Sequence, residues 1–283
     1  MIIKSIIFLI WLLVNSTNTI PPRDYHYRIQ INDSLINISG KTIEDRFHPP
    51  VNFNRTKVNH KSFEYFLRSL PLKDIGSQVR LYNGNVKRNT NIYISLVDLD
   101  IGDKDLQQCA DAIIRLRAEY LYANRQYDSI HFNLTNGFRV NYFEWAKGKR
   151  VVVERNKCIW KDIYNPSTSY KTFRDYLDFI FMYAGTLSLS KELKPVSIQC
   201  IRIGDIFIQG GSPGHAVIVV DMAINFITGE RLFILAQSYM PAQEIHILIN
   251  PNNPEISPWY SSVFNGKLKT PEWEFNQSDL KRF

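Results

Sequence analysis

Between Ile203 and Asn250 one pattern comes four times in close succession: "IGDIFIQ", "HAVIVVD", "ERLFILAQSY" and "EIHILIN". Each run is short, apolar and rich in β-branched residues, and turn-forming residues separate the runs. "QGGSPG" divides the first two, and "NFITGE" reads as a hairpin turn between the second and third. Strands joined this tightly cannot be parallel, because a parallel connection needs a crossover of a dozen or more residues. The spacing therefore predicts an antiparallel meander. Helical periodicity lies upstream of it, so the class is α+β.

Two upstream segments carry strong helix patterns. In "DKDLQQCADAIIRLRAEYLYANRQ", Leu106, Cys109, Ala110, Ile113, Leu116 and Tyr120 share one face. Asp105 with Gln108 predicts a capping box that starts this helix. Arg117 falls on the apolar face and is expected to pair with a buried acid. In "YKTFRDYLDFIFMYAGTLSL", Phe173, Tyr176, Leu177, Ile180 and Phe181 are in register, with Thr172 and Asp175 as the expected box. "NHKSFEYFLRSLPL" predicts a shorter helix, "NTNIYISLVDLDIG" a strand, and "SIHFNLTNGFRVNYFEW" a hairpin around "TNG". The aromatic tail from Ser257 to Phe283 is expected to wrap the surface.

The N-terminus sets the expected compartment. "MIIKSIIFLIWLLVNSTNT" has one lysine, then an apolar run from Ser5 to Val14 that is short for a bilayer span. It fits a secretory signal peptide over 1–19, followed by a polar linker over 20–42 and a single globular domain over 43–283. The protein is then exported, to the periplasm or outside the cell, with no transmembrane segment left after cleavage. The three cysteines, Cys109, Cys158 and Cys200, leave at least one thiol unpaired. Cys158 and Cys200 can pair, or all three can be small buried apolar residues.

Several chemistries are disfavoured. The net charge is +7, but lysines and arginines are scattered with no basic run or stacking motif, against nucleic-acid binding. No HExxH or CxxC occurs, against zinc. The glycine-rich turn lacks the lysine of a phosphate loop. Asp98, Asp100, Asp103 and Asp105 cluster after a strand and are the candidates for Ca²⁺ or Mg²⁺, but their spacing is not that of an EF-hand loop, and a solvated helix-capping loop explains them. His246 alternates with Ile245 and Ile247 and reads as the polar face of a strand. No cofactor is expected.

What remains is Cys109 near a helix start, His215 at the head of a strand, and Gln237, polar inside the next apolar strand. A helix N-terminus favours a thiolate, although Asp103, Asp105 and Asp111 oppose it. The order cysteine, histidine, polar residue suits a nucleophile, a base and the group that orients the base. Gln107 and Gln108 are the candidate oxyanion donors, with the Cys109 backbone N–H. "GDIFIQGGSPGHAVIVVD" and "FILAQSY" resemble the corresponding stretches of the papain-like NlpC/P60 and CHAP peptidoglycan hydrolases. That implies helices packed on the meander and an amide hydrolase, an amidase or peptidase acting on cell-wall peptides. The Cys-to-His interval is longer than in those families. "RFHPP", "LPLKDIGSQVRLYNG", "DLQQCADAIIRLRAEYLY", "YAGTLSL", "PGHAVIVVD" and "LAQSYMPAQEIHIL" together resemble a family of exported Bacteroidetes proteins known as domain of unknown function 4846. That resemblance implies export and carries no activity. Two functional readings follow: an exported cysteine hydrolase, or an exported binding or scaffold protein without catalysis.

Overall fold

In the computed structural model, nine strands make one mainly antiparallel sheet. The structure describes residues 34–283, which fall within one compact unit. The expected signal peptide and the first part of the linker lie outside them. The sheet strands are β1 (Asn54–Arg55), β2 (Tyr93–Leu96), β3 (Lys194–Pro195), β4 (Ile206–Gln209), β5 (His215–Ile224), β6 (Arg231–Gln237), β7 (His246–Leu248), β8 (Trp259–Ser261) and β9 (Leu280–Arg282). Their order is β2-β7-β6-β5-β4-β9-β3, with β1 also on β5 and β8 also on β6. The four runs of the meander are thus β4, β5, β6 and β7, neighbours in space and antiparallel throughout. The turn at "NFITGE" closes through Asn225 O accepting from Gly229 N–H, and Asn225 N–H donating to Glu230 O.

The helices are α1 (Ile43–Arg46), α2 (Phe63–Arg68), α3 (Cys109–Ala123), α4 (Tyr142–Ala146), α5 (Tyr170–Tyr183) and α6 (Thr186–Glu192). α2 and α3 pack on β5, which explains why nine of its ten residues are buried. Burial on both faces is also why that strand reads as an unbroken apolar run rather than an alternating one. Asp221 is the exception in chemistry. Fully buried on β5, it is held by Arg55 at 2.8 Å and Arg68 of α2 at 2.6 Å, a two-cation clamp that satisfies its charge. Around α4 and α5, Tyr122, Tyr142, Phe173 and Tyr176 form an edge-and-stack aromatic cluster. The "TNG" hairpin is present, with His131–Asn133 paired to Arg139–Asn141.

Five sequence expectations change. α3 begins at Cys109, not at Asp105, because the Asp105 carboxylate accepts from Ala242 N–H at 2.7 Å and from Gln108 Nε2 at 3.2 Å, tying the loop to the sheet. Asp111 takes over the cap, accepting from Gln108 N–H at 3.1 Å. α5 is capped by Ser169, which accepts from Thr172 N–H, while Asp175 pairs with Lys171. Arg117 pairs with no buried acid among the described residues; half-buried Glu64 acts on it electrostatically, and its guanidinium lies over the rings of Phe63, Tyr120 and Phe283. The tail does not wrap the surface. Trp259, Tyr260, Phe275 and Leu280 are buried, and the tail supplies two strands of the sheet. The last residues of the expected linker also belong to the fold, since Leu35 and Ile36 are buried and Ile36 bridges Phe47. No helix among the described residues is long and apolar enough to cross a membrane.

Candidate active site

Cys109 is the first residue of α3, and α3 lies on the sheet beside the head of β5. The backbone N–H groups of Cys109, Ala110 and Ala216 point at its sulfur and favour the thiolate. Ala216 follows His215, so the cysteine sits against the strand end that carries the histidine. Cys109 lines an open cleft of about 630 Å³ whose other walls include Gln108, Asp111, Thr186, Gly214 and Met240. The glycine-rich turn builds one of those walls by close approach. A Cβ on Gly214 would stand 2.5 Å from Thr186 Oγ1, and one on Gly210 would stand 2.1 Å from Ser190 Oγ. Only glycine lets α6 come this near.

His215 is 1 % exposed, beneath the cleft rather than in it. Its Nε2 lies 2.8 Å from Gln237 Oε1 on the neighbouring strand. The amide is fixed from its other end, where Gln237 Nε2 donates to Glu272 Oε2 at 2.6 Å. Its second N–H meets His246 Nε2 at 3.3 Å. His246 Nδ1 lies 2.9 Å from the Glu244 carbonyl, which can only accept, so Nδ1 is protonated and Nε2 is the acceptor. The amide nitrogen thus faces Glu272 and His246 and its oxygen faces His215. His215 therefore donates through Nε2–H, and its Nδ1 is left free to take a proton. Glu272 is held in turn by Lys87, Nζ to Oε1 2.9 Å. Tyr239 and Trp273 pack their rings on the imidazole, at 4.9 and 5.4 Å between centroids.

Burial controls the protonation states. It pushes the Cys109 thiol up to about 11, with the Asp111 carboxylate adding to the rise. It pushes His215 down to about 4, helped by Lys87, against the hydrogen bond to Gln237. His246 falls to about 3 and Asp111 rises to about 8, both chiefly by desolvation. At pH 7 the site therefore rests as neutral thiol, neutral imidazole and protonated Asp111. Of the three acids expected to oppose the thiolate, Asp111 is the one that acts on it, while Asp103 and Asp105 do not contribute.

The structure hydrogen-bonds His215 to Gln237, sets Cys109 beside the strand end that carries His215, and separates the two glutamines. Gln108 lines the Cys109 cleft. Gln107 does not: its Oε1 accepts from Arg115 Nη1 at 2.7 Å and the residue lines a different cleft, which removes it as an oxyanion donor. The acidic loop does not converge on a point. Asp100 accepts from Gly102 N–H, Asp105 from Ala242 N–H, and Asp98 and Asp103 are exposed. Among the described residues no group of three or more His, Cys, Asp or Glu side chains is placed to hold a metal ion. All three cysteines are free, with Cys158 half-buried and Cys200 exposed. Sequence reasoning missed His246, which is fully buried rather than on a polar face, and also missed Glu272, Lys87 and Tyr239.

The tautomer chain gives a direct test of Glu272. Glu272→Leu removes the acceptor that orients the Gln237 amide and leaves Lys87 without its carboxylate. The imidazole nitrogen spectrum of labelled protein is expected to show one neutral His215 tautomer in the wild type and a mixture in the variant. A single unchanged tautomer would show that Glu272 does not hold the amide. A family model described as "Domain of unknown function (4846)" matches residues 43–282. No curated protein and no solved structure matches the chain.

Proposed function

The chain belongs to the family of domain of unknown function 4846, and from its own geometry we propose that it is a cysteine-dependent amide hydrolase with a papain-like arrangement of helix and sheet. The observation that carries the reading is the hydrogen bond from His215 Nε2 to Gln237 Oε1, beside a cysteine at the first position of a long helix. In this reading Cys109 is the nucleophile, His215 the base and Gln237 the group that holds its tautomer. Because thiol and imidazole both rest neutral, the proton moves from Sγ to His215 Nδ1 as Sγ bonds the substrate carbonyl carbon. The carbonyl oxygen takes the negative charge, facing the Cys109 N–H and the Gln108 side chain. His215 then gives its proton to the departing amine, and water cleaves the thioester by the same route in reverse. We further propose that the protein is exported, and that its substrate is an amide in cell-wall peptides.

A second reading, an exported binding or scaffold protein, draws support from the burial of His215 and the raised thiol. The two readings separate in one experiment without any substrate. With its thiol up at about 11, Cys109 reacts with iodoacetamide at pH 7 only as it passes its proton to His215, so its labelling is expected to slow by about tenfold or more in folded His215→Ala while Cys158 and Cys200 are unchanged. Peptide mapping by mass spectrometry at successive times reads the rates. Labelling of Cys109 that His215→Ala leaves unchanged, or that occurs only on unfolding, would favour the scaffold.

A further inference from the structure

Beside the Cys109 cleft lies a smaller one of about 160 Å³, and the two share Leu106 and Phe181 as walls. The carboxylates around it are committed or in solvent. Asp178 pairs with Lys104 at 2.7 Å. Glu119 accepts from Arg115 Nε at 3.3 Å and from the Tyr170 hydroxyl at 2.8 Å. Asp103 is exposed on the rim. Arg115 holds Gln107 by its oxygen, so the amide nitrogen is turned away from the guanidinium. That Nε2 is buried with no partner, on a residue 1 % exposed, and the Nη1 of Arg174 on the same cleft is also buried and unpartnered. Buried N–H groups without acceptors are rare because each forfeits its hydration. Both groups are donors and one belongs to a guanidinium, so their complement is an anionic acceptor.

We propose that this cleft is a carboxylate-binding subsite, in which Arg174 and Gln107 hold a free carboxylate of a molecule whose amide reaches Cys109. The volume suits a carboxylate and the first atoms that bear it, and a guanidinium matches both of its oxygens. The shared wall of Leu106 and Phe181 makes the two clefts adjoining stations for one extended ligand. The substrate class is then an amide carrying a free carboxylate, such as a peptide with an acidic side chain. Assigning the anion to a substrate rests on the hydrolase reading, whereas the anion site does not.

Glutarate is the probe, titrated calorimetrically into the full chain, with the uncharged glutaramide as control. Glutarate is expected to bind wild type and Cys109→Ala alike, and glutaramide not at all. Arg174→Gln is expected to weaken glutarate binding at least tenfold. Should Arg174→Gln fail to fold, Gln107→Glu serves: it keeps an acceptor for Arg115 and presents a negative charge to the cleft, which should abolish binding. Folded wild type that ignores glutarate, or binds glutaramide equally well, would overturn the subsite whatever Cys109 does. Glutarate binding together with an unreactive Cys109 upholds the anion site and overturns the hydrolase reading alone.

Discussion

Cys109→Ala is expected to abolish amide hydrolysis, by about 10⁴-fold or more, with the melting transition still cooperative. The size follows from covalent catalysis: without the nucleophile the remaining groups can position water but cannot form the acyl intermediate, and such deletions cost several orders of magnitude. Folding should survive because the substitution removes one sulfur at the edge of an open cleft and leaves the Gln108–Asp111 cap intact. The pH profile is part of the same expectation. With His215 down at about 4 and the thiol up at about 11, kcat/KM should climb as pH rises through about 4 and then run flat across neutrality. A preformed thiolate–imidazolium pair would instead give a bell whose two limbs belong to the pair. Peptidoglycan fragments with intact peptide stems, assayed by release of new amino groups between pH 4 and pH 9, supply both readouts. Turnover that survives in Cys109→Ala would remove thiol catalysis altogether.

The meander was legible because its strands are short apolar runs with turns between them, and local pattern suffices for that. The nearness of His215 and Gln237 was legible because β5 and β6 follow one another in the chain and pair, whereas Cys109 comes from α3, far upstream. What could not be read depends on distant partners. Asp105 looked like a cap until its carboxylate was committed to Ala242, 137 residues away. His246 alternates with isoleucines as a half-exposed strand would, but β7 is buried on both faces. A polar residue there has no solvent to face, and it became part of the network behind Gln237. Glu272 lies in a tail whose aromatic and proline content suggested a surface wrap, yet Trp259 and Tyr260 on β8 bring that tail into the sheet. The one available hint was the apolar weight of "EIHILIN", too great for a strand with a wet side.

Stability is expected to be nearly level from pH 7 to pH 5 in the wild type and to fall steeply in Asp111→Asn. His215 and His246 have folded pKa values of about 4 and about 3, against 6.5 in the free side chain. Depressed values mean stability that is whole above pH 6.5 and lost as pH falls, because the unfolded chain takes up protons that the folded one refuses. Each histidine costs about 2 kcal/mol between pH 7 and pH 5, about 4 kcal/mol together. Asp111 works the other way. Its folded value of about 8 lies above the ordinary 3.8, so it contributes stability that is full at low pH and lost as pH rises through 8. Over the same interval it returns about 3 kcal/mol, leaving a net loss of about 1 kcal/mol. Asparagine at 111 cannot titrate, so the full loss of about 4 kcal/mol should appear, and His246→Gln added to it should restore roughly half. Urea unfolding at pH 7 and pH 5, fitted with a common slope, measures these differences. Equal losses in wild type and Asp111→Asn would mean that Asp111 is ionised in the folded protein. The cap on α3 would then be a carboxylate at neutral pH, and the charge beside Cys109 would be present there throughout.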